Sequence, residues 1–446
     1  MDWKNKVIYQ IYPRSFMDSS GSGTGDLNGI KSKINYIKNL GVDYVWISPF
    51  FESPQKDFGY DVSNYRKVDK LFGNNTDFKN LVELFHENDI RVIIDLVLSH
   101  TSDEHKWFKE SSKKIKNEYS DWYVWADGEE NKPPNNWLSV FGGSSWKWDQ
   151  KKEQFYLHNF LESQPDLNFH NVAVQNQMLD EIQFWLDFGI DGFRFDVINF
   201  LFHDKGLRNN PYKDISEVRP LGFNKDNPYG LQHHKYDNTQ KDTLIYLEKI
   251  RKLLDKYNAI SIGEIVSDNP LKTIADYTNN QRLHMAYCFE FLSDDFNFET
   301  VDEIVNNFFN QNPHSWPCWA FSNHDAARIA SRVNKSPKEI MGKLLSLRGN
   351  ICIYQGEELG LRNSILEKKD IRDPFGLNFW PKFKGRDGCR TPLPWNSKQK
   401  NYGFSSGSTW LPCDKKFKKL SVDIQENDKN SMLNFTREKI SQRKIN

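Results

Sequence analysis

Eight short apolar segments, separated by helical patterns, constrain the fold of this chain more than any other feature. They are rich in β-branched and aromatic residues, and near-continuous apolar runs of this length are typical of strands buried on both faces. The segments are Val7–Tyr12, Tyr44–Ser48, Val92–Leu98, Phe193–Val197, Ile260–Glu264, Met285–Phe291, Cys318–Ser322 and Ile351–Tyr354. Eight such strands alternating with helices predict an α/β fold, a (β/α)8 barrel.

Helical patterns support this order of elements. Apolar residues recur at helical spacing within Ile30–Leu40, before the second strand, and within Leu244–Leu254, before the fifth. Ser336, Pro337 and Glu339 predict a helix start, because Ser caps the helix, Pro occupies its first position and Glu completes a capping box.

One long interruption follows the third strand. The stretch Thr101–Asn168 is longer than the loops of compact domains usually are, and it is rich in tryptophan. We therefore predict an inserted domain at residues 101–168, with barrel parts at residues 1–100 and 169–446.

Composition excludes several classes of partner. The 60 Lys and Arg residues balance the 60 Asp and Glu residues, so no net charge favours nucleic acid or an anionic membrane. No apolar run has the length of a membrane span. The 14% aromatic content suits a neutral sugar ligand. The five cysteines include no CxxC pair, which favours reduced thiols and a cytoplasmic location. We expect a monomer or a weak homo-oligomer.

Titratable residues follow several predicted strands at the carboxyl end, where active sites of such barrels form. A lone carboxylate there is more often a helix cap or an ion pair, but several strands aimed at one mouth favour a site. The candidates are Tyr60 and Asp61 after the second strand, Asp95 and His100 on the third, Arg194 and Asp196 on the fourth, Glu264 on the fifth, and His324 and Asp325 on the seventh.

Carboxylates gathered in a partly dry pocket repel one another, so one retains a proton while the others stay ionised. This is the chemistry of glycosidases, in which one carboxylate attacks the anomeric carbon and a protonated partner assists the leaving oxygen. Arg194 lies two residues before Asp196, on the same strand face, and suits an ion pair with it. A purely structural Arg–Asp pair is the alternative.

The motifs that carry these residues resemble the α-amylase family of glycoside hydrolases (glycoside hydrolase family 13), in its branch of α-glucosidases and oligo-1,6-glucosidases. The resemblance covers nearly the whole chain. The motifs are Gln10–Phe16, Asp95–His100, Gln164–Asn168, Gly192–Asp196, Gly263–Glu264 and Ser322–Asp325.

The resemblance implies a nucleophile at Asp196, a general acid/base at Glu264 and a transition-state-stabilising carboxylate at Asp325. It also implies a retaining, exo-acting α-glucosidase for short oligosaccharides, with transglucosylation as a further activity, and it likens residues 101–168 to the family's domain B. The residues implied around the bound glucose are Tyr60, Asp61, His100, Arg194, His324 and Arg390.

The loop Asp18–Asp26 stands where relatives carry a calcium or magnesium loop. It keeps its first and ninth carboxylates, but serines replace the usual Asn and Asp, which weakens a site for a hard cation. A bound Ca or Mg, with a Gly-rich turn as the alternative, is left open; no other cofactor is expected. The residues of this candidate site are Asp18, Ser20, Ser22, Thr24 and Asp26.

Two further departures from the family pattern bear on activity. After the predicted helix Ser431–Arg443 no counterpart of the family's β-sandwich, domain C, follows, so an inactive remnant stays open. Val197 resembles α-1,6-specific relatives, whereas Asn199–Asp204 and Leu207–Pro211 resemble a branch active on α-1,4 linkages. The motifs are also compatible with a family enzyme that acts on sucrose or isomerises disaccharides. A non-catalytic barrel of the kind that serves as a transporter partner subunit predicts lost carboxylates and a membrane anchor, and the motifs keep the carboxylates.

Overall fold

The computed structural model describes residues 2–214, 217, 227–279, 281–293 and 296–445. The strands are β1 (Val7–Ile11), β2 (Tyr44–Ile47), β3 (Phe51–Glu52), β4 (Asn64–Val68), β5 (Arg91–Val97), β6 (Trp125–Ala126), β7 (Trp146–Asp149), β8 (Gln154–Leu157), β9 (Gly192–Asp196), β10 (Ile260–Ile265), β11 (Met285–Cys288), β12 (Cys318–Ala320) and β13 (Asn350–Tyr354).

The helices are α1 (Pro13–Phe16), α2 (Leu27–Ser32), α3 (Ile34–Leu40), α4 (Asn75–His86), α5 (Lys106–Ser111), α6 (Val172–Phe188), α7 (Lys241–Tyr257), α8 (Pro270–Thr278), α9 (Val301–Gln311), α10 (Ile329–Arg332), α11 (Pro337–Ser346), α12 (Pro374–Phe379), α13 (Val422–Glu426) and α14 (Met432–Ile445). As predicted, α11 begins with a capping box between Ser336 and Glu339. The predicted helix at Ser431–Arg443 corresponds to α14.

Eight parallel strands form the central sheet, in the order β11-β10-β9-β5-β2-β1-β13-β12. A parallel bridge between Ala286 in β11 and Pro317, which precedes β12, brings the two ends of the sheet together. The sheet is therefore a barrel, and each of its strands lies within one of the eight predicted apolar segments or overlaps it closely. The predicted (β/α)8 fold is confirmed.

The segment between β5 and α6 folds into a small unit. Its antiparallel sheet, β6-β8-β7, covers a separate apolar cluster that includes Trp137, Trp146 and Phe155. An isolated bridge between His100 and Asp166 ties this unit to the carboxyl end of β5. The unit thus lies at the mouth of the barrel. The outer limits predicted for the barrel parts, Met1 and Asn446, lie outside the described residues.

No helix within the described ranges combines the length and the apolar character that a bilayer crossing needs. The described thiols of Cys318, Cys352, Cys389 and Cys413 are free. The prediction for the Cys288 side chain lies outside what the structure describes.

Candidate active site

A cavity with an empty volume of about 530 Å³ opens at the carboxyl ends of the barrel strands. Polar side chains from the strand ends and from the loops line it. They are Asp57, Tyr60, His100, Gln164, Asp196, Glu264, Asp325 and Arg386.

Arg194 organises the bottom of the site. It lies on β9 two residues before Asp196, so both side chains project to the barrel interior. Its Nη1 donates to Asp95 Oδ1 at 2.7 Å and to Asp196 Oδ1 at 2.6 Å. Its Nη2 lies 2.6 Å from Glu264 Oε2. One fully buried guanidinium therefore connects three carboxylates.

These three acids share the positive charge of Arg194. Burial raises the pKa of Asp95 to about 6, and Arg194 offsets only part of that effect. Burial also raises the pKa of Asp196, and the charges of Glu264 and Asp95 add to the shift. Ionisation of Asp95 and Asp196 is accordingly disfavoured, as expected for carboxylates that share one cation.

Asp325 follows β12 and has a different environment. Its Oδ1 accepts from Arg390 Nη2 at 2.8 Å and from Arg386 Nη1 at 3.0 Å. Burial opposes ionisation of Asp325, but the surrounding positive charge outweighs it and lowers its pKa. Asp325 is therefore a permanently ionised acceptor at the pocket wall.

Two histidines at the site are in the neutral form: His100 lines the cavity, and His324 lies behind its wall. Burial lowers the pKa of His100 to about 3, and burial is also the main reason why the pKa of His324 lies well below its usual value. The Nε2 atom of His324 lies 3.1 Å from Asp325 Oδ2, and its ring stacks on Tyr60. Neutral imidazoles of this kind suit hydrogen bonds to hydroxyl groups.

The structure does not bring all predicted residues to the pocket. Asp61 is buried inside a turn, where its carboxylate accepts from the backbone N–H groups of Lys56 and Asp57 and from the Ser53 hydroxyl. Asp57, which precedes it by four residues, lines the pocket in its place. The prediction of Asp61 as a pocket residue was wrong because its carboxylate is used within the turn that presents Asp57 to the cavity.

Arg390, which was also predicted to contact the sugar, lies behind the pocket wall. It donates to the His324 carbonyl at 2.6 Å and to Asp325, so it orients that carboxylate from the rear. Arg386 reaches the pocket, and its Nη2 donates at 2.8 Å to Asp57 and to Asp373. The only sequence signal for Arg386 was its position four residues before Arg390, and for Asp57 its position three residues before Tyr60.

Comparison with known proteins agrees with this geometry. The profile of the α-amylase catalytic domain matches residues 10–446. A probable α-glucosidase of Rhizobium meliloti (strain 1021) is 48% identical, over 100% of this chain and 83% of that protein. An oligo-1,6-glucosidase of Bacillus cereus is 36% identical, over 100% of this chain and 84% of that protein. The crystal structure of an α-glucosyl transfer enzyme superposes with a TM-score of 0.97 at 51% identity, covering 99% of this chain and 84% of the other.

The chain belongs to the α-amylase family. The predicted family, and with it the glycoside hydrolase class, is confirmed.

The loop that carries a cation in the α-amylase family has both acids engaged in hydrogen bonds here. Asp18 Oδ1 accepts from the backbone N–H groups of Ser20 and Gly21, and Asp18 Oδ2 accepts from Gly23 N at 2.7 Å and from Ser405 Oγ at 2.5 Å. Asp26 accepts in the same way from the backbone and side chain of Ser19 and from the Gly29 N–H.

These N–H and O–H donors occupy the acceptor positions of Asp18 that a cation would need, and they occupy three of the four of Asp26. Gly23 has a positive φ, and a Cβ at this position would lie 1.7 Å from the Ser408 carbonyl oxygen. The loop is therefore packed tightly against the segment that contains Ser405. Its residues do not fit a calcium or magnesium ion, and we derive no step through a metal.

Apolar side chains form the remaining wall of the pocket in this α-amylase-family chain. Val197 and Val266 lie beside the carboxylates, and Phe289 and Phe375 lie nearby. Val197 has a φ of 34°, which is unusual for a β-branched residue. The site thus has a charged half and an apolar half.

Proposed function

We propose that this α-amylase-family enzyme is a retaining, exo-acting α-glucosidase of short oligosaccharides that also transfers glucose to sugar hydroxyls. The observation that carries the proposal is the guanidinium of Arg194, whose neighbouring nitrogens contact Asp196 and Glu264. Two carboxyl groups bound to one guanidinium are close together, as in retaining glycosidases, in which they lie about 5–5.5 Å apart.

The reaction then follows from the two roles. Asp196 attacks the anomeric carbon while Glu264 gives its proton to the glycosidic oxygen, and the bond between that oxygen and the anomeric carbon breaks. In the second step Glu264 takes a proton from water or from a sugar hydroxyl, whose oxygen displaces Asp196. Two inversions give net retention, and the choice of the second acceptor separates hydrolysis from transfer.

The charged half of the pocket suits a terminal glucose. Asp325 supplies an ionised acceptor for hydroxyl groups, and neutral His100 supplies a further polar contact. Asp57 and Arg386 form an ion pair at 2.8 Å, and both line the cavity. An ion pair at this place would stop a longer chain from passing beyond the terminal glucose, so we infer exo action. The remaining sugar would lie against the apolar half. A cytoplasmic location stays a prediction.

The experiment measures turnover by the wild type, Asp196→Asn and Glu264→Gln on maltose, isomaltose, sucrose, trehalose and an aryl α-glucoside. Both variants should lose activity on the disaccharides, and the first anomer released by the wild type, followed by NMR, should be α. Release of the β-anomer would overturn the retaining mechanism, and full activity of Asp196→Asn would overturn its role as nucleophile. The preferred disaccharide identifies the linkage.

A further inference from the structure

Tyr287 on β11 is a buried residue at the site. It belongs to none of the sequence motifs, and the proposed reaction assigns no role to it. It is the register partner of Glu264 in the parallel pairing of β10 and β11. Its side chain is 3% exposed. Because register partners on parallel strands project to the same side, its hydroxyl reaches the carboxylate cluster.

The direction of each hydrogen bond of Tyr287 follows from the chemistry of its partners. Arg194 donates to the phenol oxygen from Nε at 3.1 Å and from Nη2 at 2.7 Å. An arginine has no acceptor, and a phenol has one proton. The Tyr287 hydroxyl therefore donates that proton to Glu264 Oε1, which lies 3.0 Å away.

The other oxygen of Glu264 faces positive charge. Its Oε2 forms an ion pair with Arg194 Nη2 at 2.6 Å and accepts the backbone N–H of Val197 at 3.1 Å. The left-handed backbone of Val197 belongs to the turn that places this N–H against the acid. A proton on Oε2 would lie against the guanidinium, which is positively charged and has no acceptor, so protonation of Oε2 is disfavoured. A free lone pair remains on Oε1.

We propose that Tyr287 is a positioning residue that directs the catalytic proton of Glu264 to Oε1 and stabilises the carboxylate form of this acid. The inference rests on the proposed acid/base role of Glu264. In the first step the proton leaves Oε1 for the glycosidic oxygen. The Tyr287 hydroxyl then donates to an ionised oxygen, and a hydrogen bond to a charged acceptor is stronger than one to a neutral acid.

Other charged groups around Glu264 set the background for this effect. Arg194 and Asp196 face it from β9, and Asp95 faces it from β5. None of these three charges is removed with the Tyr287 hydroxyl, although Arg194 loses an acceptor at Nε and at Nη2. A change in the pH profile of such a variant therefore reports on the Tyr287 hydroxyl and its bonds to Glu264 and Arg194.

The test compares Tyr287→Phe with Tyr246→Phe. Tyr246 is equally buried, but its hydroxyl donates to the Gln175 carbonyl at 3.0 Å, outside the pocket. For Tyr287→Phe, the alkaline limb of the kcat/KM profile should move up by about one pH unit, because one charge-assisted hydrogen bond is worth about a tenfold change in protonation. The profile of Tyr246→Phe should not move. An unmoved limb in folded Tyr287→Phe would overturn the inference.

A second variant covers the case in which Tyr287→Phe does not fold. Replacement of Tyr287 by 3-fluorotyrosine keeps the size of the ring and makes the hydroxyl a stronger donor. The alkaline limb should then move down, opposite to the phenylalanine variant. A residue with only a packing role would not shift the limb in opposite directions, and shifts in the same direction would contradict the proposal.

A third measurement separates this inference from the proposed function. Azide should restore turnover of α-glucosyl fluoride by Glu264→Gln and yield α-glucosyl azide, because this leaving group needs no proton and azide needs no base. Restored turnover with an unmoved limb in Tyr287→Phe would overturn the role of Tyr287 alone. Without restoration, the acid/base assignment and the inference built on it both fail.

Discussion

Two buried arginines in this molecule each contact three carboxylates, yet their surroundings differ. Arg194 contacts Asp95, Asp196 and Glu264, all of which lie on barrel strands. Arg386 contacts Asp57, Asp325 and Asp373, all of which lie on loops. We call the first group the strand cluster and the second group the loop cluster.

The two clusters differ in the number of cations for each acid. In the loop cluster a second guanidinium, that of Arg390, also contacts Asp325. Burial opposes ionisation of Asp373 and Asp325, but the arginines outweigh it and lower both pKa values. Burial raises the pKa of Asp57, the third acid of the loop cluster, to about 6, and Arg386 offsets only part of that effect. In the strand cluster one cation serves three acids, and the pKa values of Asp95 and Asp196 rise. The strand cluster is thus suited to proton transfer, whereas the loop cluster holds fixed charge at Asp325 and Asp373.

The largest effect is expected from Arg194→Met, which leaves the strand cluster without a cation. We expect the free energy of unfolding in urea at pH 7 to fall by about 3–5 kcal/mol, because uncompensated buried charges are costly. Turnover should disappear. Arg194→Lys is the control, since it restores a charge without the planar fork, and it should recover stability but little activity. Unchanged stability of the Met variant would mean that the acids do not depend on this cation.

In the loop cluster, Arg386→Lys keeps the charge but loses the planar fork that contacts three carboxylates, so kcat/KM should fall about 100-fold. Arg390→Lys should lower it less than Arg386→Lys, because Arg390 contacts the rear of Asp325 and does not line the pocket. Steady-state assays on an aryl α-glucoside compare the two variants. A larger loss for Arg390→Lys would contradict the placement of Arg386 in the pocket.

The pH dependence of stability tests the shortage of positive charge in the strand cluster. Because folding raises the pKa of Asp95 from 3.8 to about 6, the folded state binds this proton more tightly than the unfolded chain. Stability from this group is complete below about pH 4 and is lost as the pH rises through about 6, by roughly 3 kcal/mol. Asp95→Asn should remove this share of the decline from urea unfolding curves, whereas the share of Asp57, whose pKa burial also raises to about 6, should remain.

The exposed Asp127→Asn is the matched control and should leave the decline in place. If Asp95→Asn kept the full decline between these pH values, the proton would reside on another group.

The smallest effect is expected at Asp18, a carboxylate that is satisfied without any arginine. Ser405→Ala removes one of its hydroxyl donors and should lower the free energy of unfolding by about 1–2 kcal/mol. Ser406→Ala, at an exposed neighbouring position, should have little effect. Chelation of divalent cations should leave the Tm of the wild type unchanged. A lower Tm in chelator would show that the loop binds a metal after all.

Much of the fold was predictable because its signals are local. Segments such as Val92–Leu98 are apolar on both faces wherever they lie in the barrel, and the capping box at Ser336 uses residues only three apart. The strand cluster could be predicted from the sequence for the same reason. Asp196 and Glu264 belong to strands, and the carboxyl ends of parallel strands meet at one mouth.

The loop cluster could be predicted from the sequence only in part. Asp325 was predicted, but near Asp57 and Arg386 the residues chosen were Asp61 and Arg390. Asp57 and Arg386 are 329 positions apart, and no local periodicity indicates which side chain of an irregular loop faces the cavity. Tyr287 was missed for a related reason, since a tyrosine in an apolar segment is usually a core residue.

The amino-acid sequence by itself determined the barrel, the family and the acids at the strand ends, because side-chain direction along a strand alternates regularly. Only the tertiary structure decided how the charges are shared. Which guanidinium contacts which acid, and which oxygen of Glu264 keeps a free lone pair, depend on contacts between elements that are distant in the chain.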